Sequence, residues 1–103
     1  MSEPWPRKVV DPEGREVVFD GASHLHLVRR KRAALLDQVD AILETVARPG
    51  FREEDPIPGR ERFYRQDFDG LGTWLLVVVD FNESPGWIVT VFVSYHDPRG
   101  RPR

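Results

Sequence analysis

The stretch over residues 74–95, WLLVVVDFNESPGWIVTVFVSY, constrains the fold of this chain more than any other. Two runs rich in valine and aromatic residues flank Asn82-Glu83-Ser84-Pro85-Gly86, a segment with turn chemistry. The pattern predicts a β-hairpin that can bury most of a small core. Thr90 interrupts the second run with a hydroxyl. Strict alternation would put Trp87, Val89, Val91, Val93 and Tyr95 on one face, against helices. Ile88, Thr90, Phe92, Ser94 and His96 would then share the other face. A half-apolar sheet surface with a few polar groups is where a ligand is expected to sit.

The rest of the chain reads as cover for that hairpin. Residues 7–10 and 15–19 are short strand patterns around Asp11-Pro12-Glu13-Gly14, which places proline and glycine where a tight turn wants them. Asp20 or Ser23 can cap a helix. From Leu25 onward Val28, Leu35, Leu36, Val39, Ile42, Leu43 and Val46 recur at helical spacing, until Arg48-Pro49-Gly50 stops them. The spacing predicts one helix over 23–47, or two with a break near 31–33 where the Arg29-Arg30-Lys31-Arg32 cluster repels itself. Residues 51–59, FREEDPIPG, read as a loop. Strand patterns resume over 61–68, 74–81 and 87–95. The expectation is an α+β domain: an N-terminal β-hairpin, one or two helices, then an antiparallel β-meander packed on the helices.

With 103 residues there is room for one domain, 1–103, with 1–6 and 97–103 as loose tails. No apolar run is long enough to span a bilayer, and MSEPWPRK lacks the apolar core of a secretory signal. The reading is therefore a cytoplasmic protein without membrane association. The absence of cysteine excludes disulfides, thiolate metal sites and a cysteine nucleophile. A formal charge of −2 gives no general reason to bind nucleic acid, so the distribution matters more than the sum. Basic residues gather at 29–32, at Arg60, Arg62 and Arg65, and in the tail.

Metal and cofactor chemistry find no support. His24 and His26 diverge on a helix, His96 is remote, and no zinc-binding histidine motif or carboxylate-rich loop exists. No glycine-rich loop leads from a strand into a helix, and Ser84 lacks the flanking glycines of a nucleophile elbow. Asp37, Asp40 and Glu44 read as solvated helix surface. What is left is histidine with arginine. RNA cleavage without metal needs a base for the 2′-hydroxyl, an acid for the leaving oxygen and cations for the phosphorane. Taken singly, each of these residues also has a plain structural role: helix start, sheet surface or β-former.

The order of features is similar to small phage- and toxin-associated members of the barnase/EndoU/colicin/RelE-like (BECR) ribonuclease superfamily. The likeness rests on Gly14-Arg15-Glu16-Val17 in a hairpin strand, a histidine opening a helix, and the helix end Ile42-Leu43-Glu44-Thr45-Val46-Ala47-Arg48-Pro49. Arg62-Phe63-Tyr64-Arg65, a valine-rich strand and Ile88-Val89-Thr90-Val91-Phe92 complete it. The resemblance spans residues 9–96. It implies helices against an antiparallel four-stranded sheet and metal-independent RNA cleavage without a cofactor. His26 or His24 would be the helix histidine, Arg62 or Arg65 the basic strand residue, and Thr90 the last-strand hydroxyl. Arg29, Arg30, Lys31, Arg32, Arg62, Tyr64, Ser94 and His96 are the expected RNA contacts. Where related sequences often carry a second histidine before Pro-Glu-Leu, this chain has Lys31-Arg32-Ala33-Ala34-Leu35. The partners implied are RNA and, for a toxin, an antitoxin- or immunity-like protein. The alternatives are a non-catalytic RNA- or protein-binding module on the same scaffold, and an interaction domain using the N-terminal hairpin edge.

Overall fold

Valine density sets the centre of the molecule. In the computed structural model, which describes residues 6–20, 39–66, 72–94 and 96–99, strand β5 (Trp74–Asp80) is buried from Trp74 to Val79. An unbroken apolar run suits a strand covered on both faces, where alternation gives no advantage. Around it lie β1 (Arg7–Val10), β2 (Glu16–Phe19), β3 (Phe51–Glu54), β4 (Arg60–Gln66) and β6 (Gly86–Ser94), with helix α1 (Val39–Ala47). The sheet has six strands in the order β1-β2-β6-β5-β4-β3. It is mixed: β2 runs parallel to β6, and every other pair is antiparallel. The class is α+β. No helix among the described residues is long and apolar enough to cross a membrane.

Two apolar clusters lie on the two faces of the sheet. On one face Ile42, Leu43 and Val46 of α1 pack with Val17, Phe19, Phe63, Leu75, Val77 and Val79. The i, i+1, i+4 spacing of the three helix residues gives one continuous stripe. Thr45 is also fully buried, and its hydroxyl donates to the Ala41 carbonyl at 2.7 Å, so no polar group is left unmet there. Tyr64, Trp74, Leu76 and Val78 form the second cluster on the opposite face, joined by Val89 and Phe92.

Three expectations are corrected. Residues 51–54 form a strand rather than the start of a loop: Phe51, Arg52, Glu53 and Glu54 pair with Tyr64, Phe63, Arg62 and Glu61. Acidic residues hid the strand, yet charge is what suits a sheet edge, because it discourages pairing with another chain. The alternation of β6 is also broken. Val79 pairs with Ile88 while Val78 pairs with Thr90, which leaves Val89 as the extra residue of a β-bulge. Ile88 and Val91 therefore both reach the helix-side core, whereas Trp87 is 38 % exposed. Third, the β1–β2 hairpin joins the β4–β5–β6 meander in one sheet through the parallel β2–β6 pair, so the sheet is six-stranded and mixed rather than the antiparallel four-stranded one that the resemblance implies. Of the helix expected over 23–47, residues 23–38 lie outside the described residues, as do 67–68 of the strand expected over 61–68 and residue 95 of that over 87–95.

Candidate functional site

The β3–β4 connection builds the site, and its shape follows from glycine. Gly59 has a φ of +83°, a conformation that costs most side chains strain. A Cβ there would lie 2.2 Å from the Asn82 side chain, so the two loops meet at a point only glycine fits. Phe81 N–H donates to the Gly59 carbonyl at 2.8 Å, and Asn82 donates to the Pro58 carbonyl at 3.2 Å. Asn82 is itself fixed by Asp80, which accepts from its backbone N–H at 2.8 Å and its amide at 2.9 Å. The loop is thereby pinned beside the second-cluster face, opposite α1.

Between loop and sheet lies an open pocket of about 270 Å³. Strands contribute Arg60 and Arg62 from β4, Leu76 and Val78 from β5, and Thr90 and Phe92 from β6; Asp55, Pro56 and Ile57 come from the loop. Thr90 is the hydroxyl among apolar neighbours, and Ile57 is half exposed at the rim. This composition, apolar with a few placed polar groups, is that of a small-ligand or base pocket.

The charges at the pocket are fixed in pairs. Arg62 is buried, donates from Nε to Asp55 at 2.8 Å, and has Nη1 3.6 Å from Glu53. Burial pushes the Asp55 carboxyl up, but hydrogen bonds from Arg62 and the Ile57 N–H outweigh it and hold it below its ordinary range. Burial likewise works against the Arg62 guanidinium, and Asp55 and Tyr64 more than reverse it. Tyr64 donates its hydroxyl to Glu53. Burial first, and that bond second, push the phenol up to about 12. Arg60 donates to Asp80 at 3.2 Å. The Asp80 carboxyl is held below its ordinary value chiefly by the Asn82 N–H, with Asn82's amide and Arg60 adding to it against desolvation. The result is a rigid rim of alternating charge. A guanidinium carries five N–H donors, so an Arg62 locked by two carboxylates still has donors for an incoming anion.

The expected site residues separate by face. Thr90, Arg62 and Tyr64 share the face opposite α1, and the register Trp74↔Ser94 puts Ser94 there too. Arg65 does not join them. It lies two residues from Phe63 and pairs with Leu75, both in the helix-side cluster, so it projects to the other face from Thr90. Of the two arginines that the resemblance offers as the basic strand residue, Arg62 therefore shares the face of Thr90 and Arg65 does not, because a strand residue's face follows its parity from the core. Tyr64, expected as an RNA contact, is fully buried and acts instead as the wall that positions Glu53 and Arg62. Ser94 donates its hydroxyl to the His96 carbonyl at 2.6 Å and accepts from the His96 N–H at 3.2 Å, closing the strand end. His96 is exposed there. His24, His26, Arg29, Arg30, Lys31 and Arg32 lie outside the described residues.

Sequence reasoning missed Asp55, Ile57 and Arg60. The signal for them was the Asp55-Pro56-Ile57-Pro58-Gly59 run, which folds a loop back over the strand it feeds. It also missed the role of Arg15. That residue reaches from the first turn to Glu61 at 2.7 and 2.9 Å and to Asp11 at 2.8 Å, and its Cζ lies 3.7 Å from the Phe81 ring centroid. The Glu61 hydrogen bonds are the main reason its guanidinium is held protonated beyond the ordinary arginine range, against desolvation and with help from Asp11. Asp11 is buried and also accepts from the Glu13 and Arg15 N–H groups at 3.0 and 2.7 Å. Arg15 is structural cement between β1–β2 and β4.

No protein-family model, curated protein or solved structure matches the chain.

Proposed function

We propose that the chain is a metal-independent ribonuclease-like domain of the BECR type, working in the cytoplasm and engaging RNA on the sheet face opposite α1. The observation that carries the reading is the Thr90 hydroxyl in an open apolar pocket beside the guanidinium groups of Arg60 and Arg62. The order of motifs along the chain supports it from the sequence side. In this reading Thr90 hydrogen-bonds a ribose or phosphate oxygen. Arg62, preorganised by Asp55 and Glu53, stabilises charge on the phosphorane, the role left open between Arg62 and Arg65 by sequence. His26, or His24, moves the proton from the 2′-hydroxyl. The reading gives that step to a histidine because Asp55, the carboxylate at the pocket, is a weaker base than an ordinary carboxylate: its desolvation is outweighed by the hydrogen bonds from Arg62 and the Ile57 N–H. In a toxin or phage setting an antitoxin- or immunity-like protein would cover this face.

One observation favours a second reading, a non-catalytic RNA- or protein-binding module. Arg60 and Arg62 are both already paired with carboxylates, which lowers the net positive field at the pocket. Incubating the protein with total RNA in excess EDTA, alongside His26→Ala and Thr90→Ala, separates the two. Cleavage that either substitution abolishes supports the nuclease. Intact RNA with salt-sensitive binding supports the module, and neither cleavage nor RNA binding defeats the RNA reading.

A further inference from the structure

We infer that Trp87, with Lys8 beside it, forms a second nucleotide subsite next to the Thr90 pocket, stacking an unpaired base of single-stranded RNA. The inference rests on the RNA reading and names its substrate class. Register carries it. Lys8 pairs with Val18, Val18 with Trp87, Trp87 with Asp80 and Asp80 with Arg60, so these five residues form one row across five strands. Their chain neighbours Val17, Phe19, Val79 and Ile88 belong to the helix-side core, which turns the row to the opposite face, where the Thr90 pocket lies. Asp80 and Val78, the β5 partners of Trp87 and Thr90, are two residues apart, so the indole stands about 7 Å from Thr90 along the sheet. In a regular strand Trp87 and Thr90, three residues apart, would point to opposite faces. The bulge at Val89 is what brings them to one.

Among the described residues the Trp87 side chain meets no ring, cation or hydrogen-bond partner, and it is 38 % exposed. Every base has a π-face, and an aromatic side chain on an open sheet holds an unpaired base by stacking. Charge selects an anionic strand as the occupant. Lys8 is exposed and in no ion pair among the described residues, unlike Arg60 and Arg62, which carboxylates hold. It stands two strands from Trp87, about 10 Å across the sheet, and its long side chain reaches the phosphate of a base stacked there. Glu16, the exposed carboxylate of β2, pairs with Val10 one row farther from the pocket. It repels phosphate on that side and so directs the strand from Trp87 toward Thr90.

The test is fluorescence anisotropy of a short labelled single-stranded oligoribonucleotide with the full chain and its Trp87→Ala, Trp87→Phe and Lys8→Gln variants, each across a salt series. Loss of one stack predicts binding about tenfold weaker in Trp87→Ala with an unchanged salt slope, and Trp87→Phe recovers most of it. Lys8→Gln is expected to bind more weakly and to flatten the slope by about 0.7, the share of one phosphate contact. The same sequence as a duplex should bind more weakly than the single strand, because its bases are not free to stack. Single-stranded RNA bound equally by wild type and Trp87→Ala, or no more tightly than duplex, overturns the subsite while leaving the RNA reading in place. So does a wild-type dimer in sedimentation velocity that Trp87→Ala dissociates, since a second copy would then cover the indole. No RNA binding by wild type overturns both.

Discussion

Arg62 shows how one side chain can be structural and functional together. Its guanidinium is 6 % exposed and the Asp55 carboxylate 10 %, so neither is well solvated. Removing one partner of such a pair leaves a buried charge uncompensated. Arg62→Ala should therefore lower stability by about 3–5 kcal/mol in a denaturant titration, far more than loss of the exposed Arg7–Asp40 pair. Asp55 and Asp80 both contribute to the acid limb of stability, and Asp55 is the more enclosed of the two. Because its folded carboxyl lies below its unfolded value, the stabilisation is full above the unfolded value and is lost as pH falls through the folded one. Asp55→Asn should flatten that limb, seen as a denaturation midpoint that changes less across the acid range. Tyr64 provides a separate check. In a Tyr95→Phe background it is the single tyrosine, and its phenolate absorbance should appear at about 12. Ionisation at the ordinary tyrosine value would contradict the Glu53 bond and the burial behind it.

The elements were legible to different degrees, for physical reasons. Valine-rich β5 and the apolar stripe of α1 announce themselves, because burial on this scale selects apolar side chains at the element's own period. Edge strand β3 does not, since FREE is selected for charge and pairing to β4, not for burial. The bulge in β6 is invisible to alternation: WIVTVFV reads as a regular strand, and only pairing with β5 shows that Val89 is extra. That error changed the site. Regular alternation put Ile88 beside Thr90, whereas Ile88 belongs to the helix-side core. Ile88→Ala should cost about 2–5 kcal/mol, and Trp87→Ala clearly less despite removing a larger side chain. The reverse order in denaturant melts would mean that β6 alternates without a bulge. Thr90 itself was legible as a hydroxyl in an apolar run. Its neighbours were not, because Asp55, Ile57 and Arg60 reach it only through the loop that Gly59 and Asn82 hold down.

Across the whole molecule the sheet divides labour between its faces. One face carries α1 and the continuous core; the other carries the Thr90 pocket, the locked arginines and the edge-on Tyr64–Trp74 pair. A net charge of −2 sets the scale of what this surface can do with RNA. Few phosphates can be neutralised, so the slope of log affinity against log salt should be shallow, about −0.7 per phosphate contact on a single strand, with the apolar pocket supplying the rest. A steep slope would point to the basic residues 29–32 as the main contact instead. The most direct measurement is amide chemical-shift mapping of the full chain titrated with single-stranded RNA. The account predicts shifts clustered at Ile57, Arg60, Arg62, Thr90 and Phe92, with α1 residues Ile42 to Val46 unmoved. Shifts confined to α1 or the β1 edge, or no shifts at all, would contradict it.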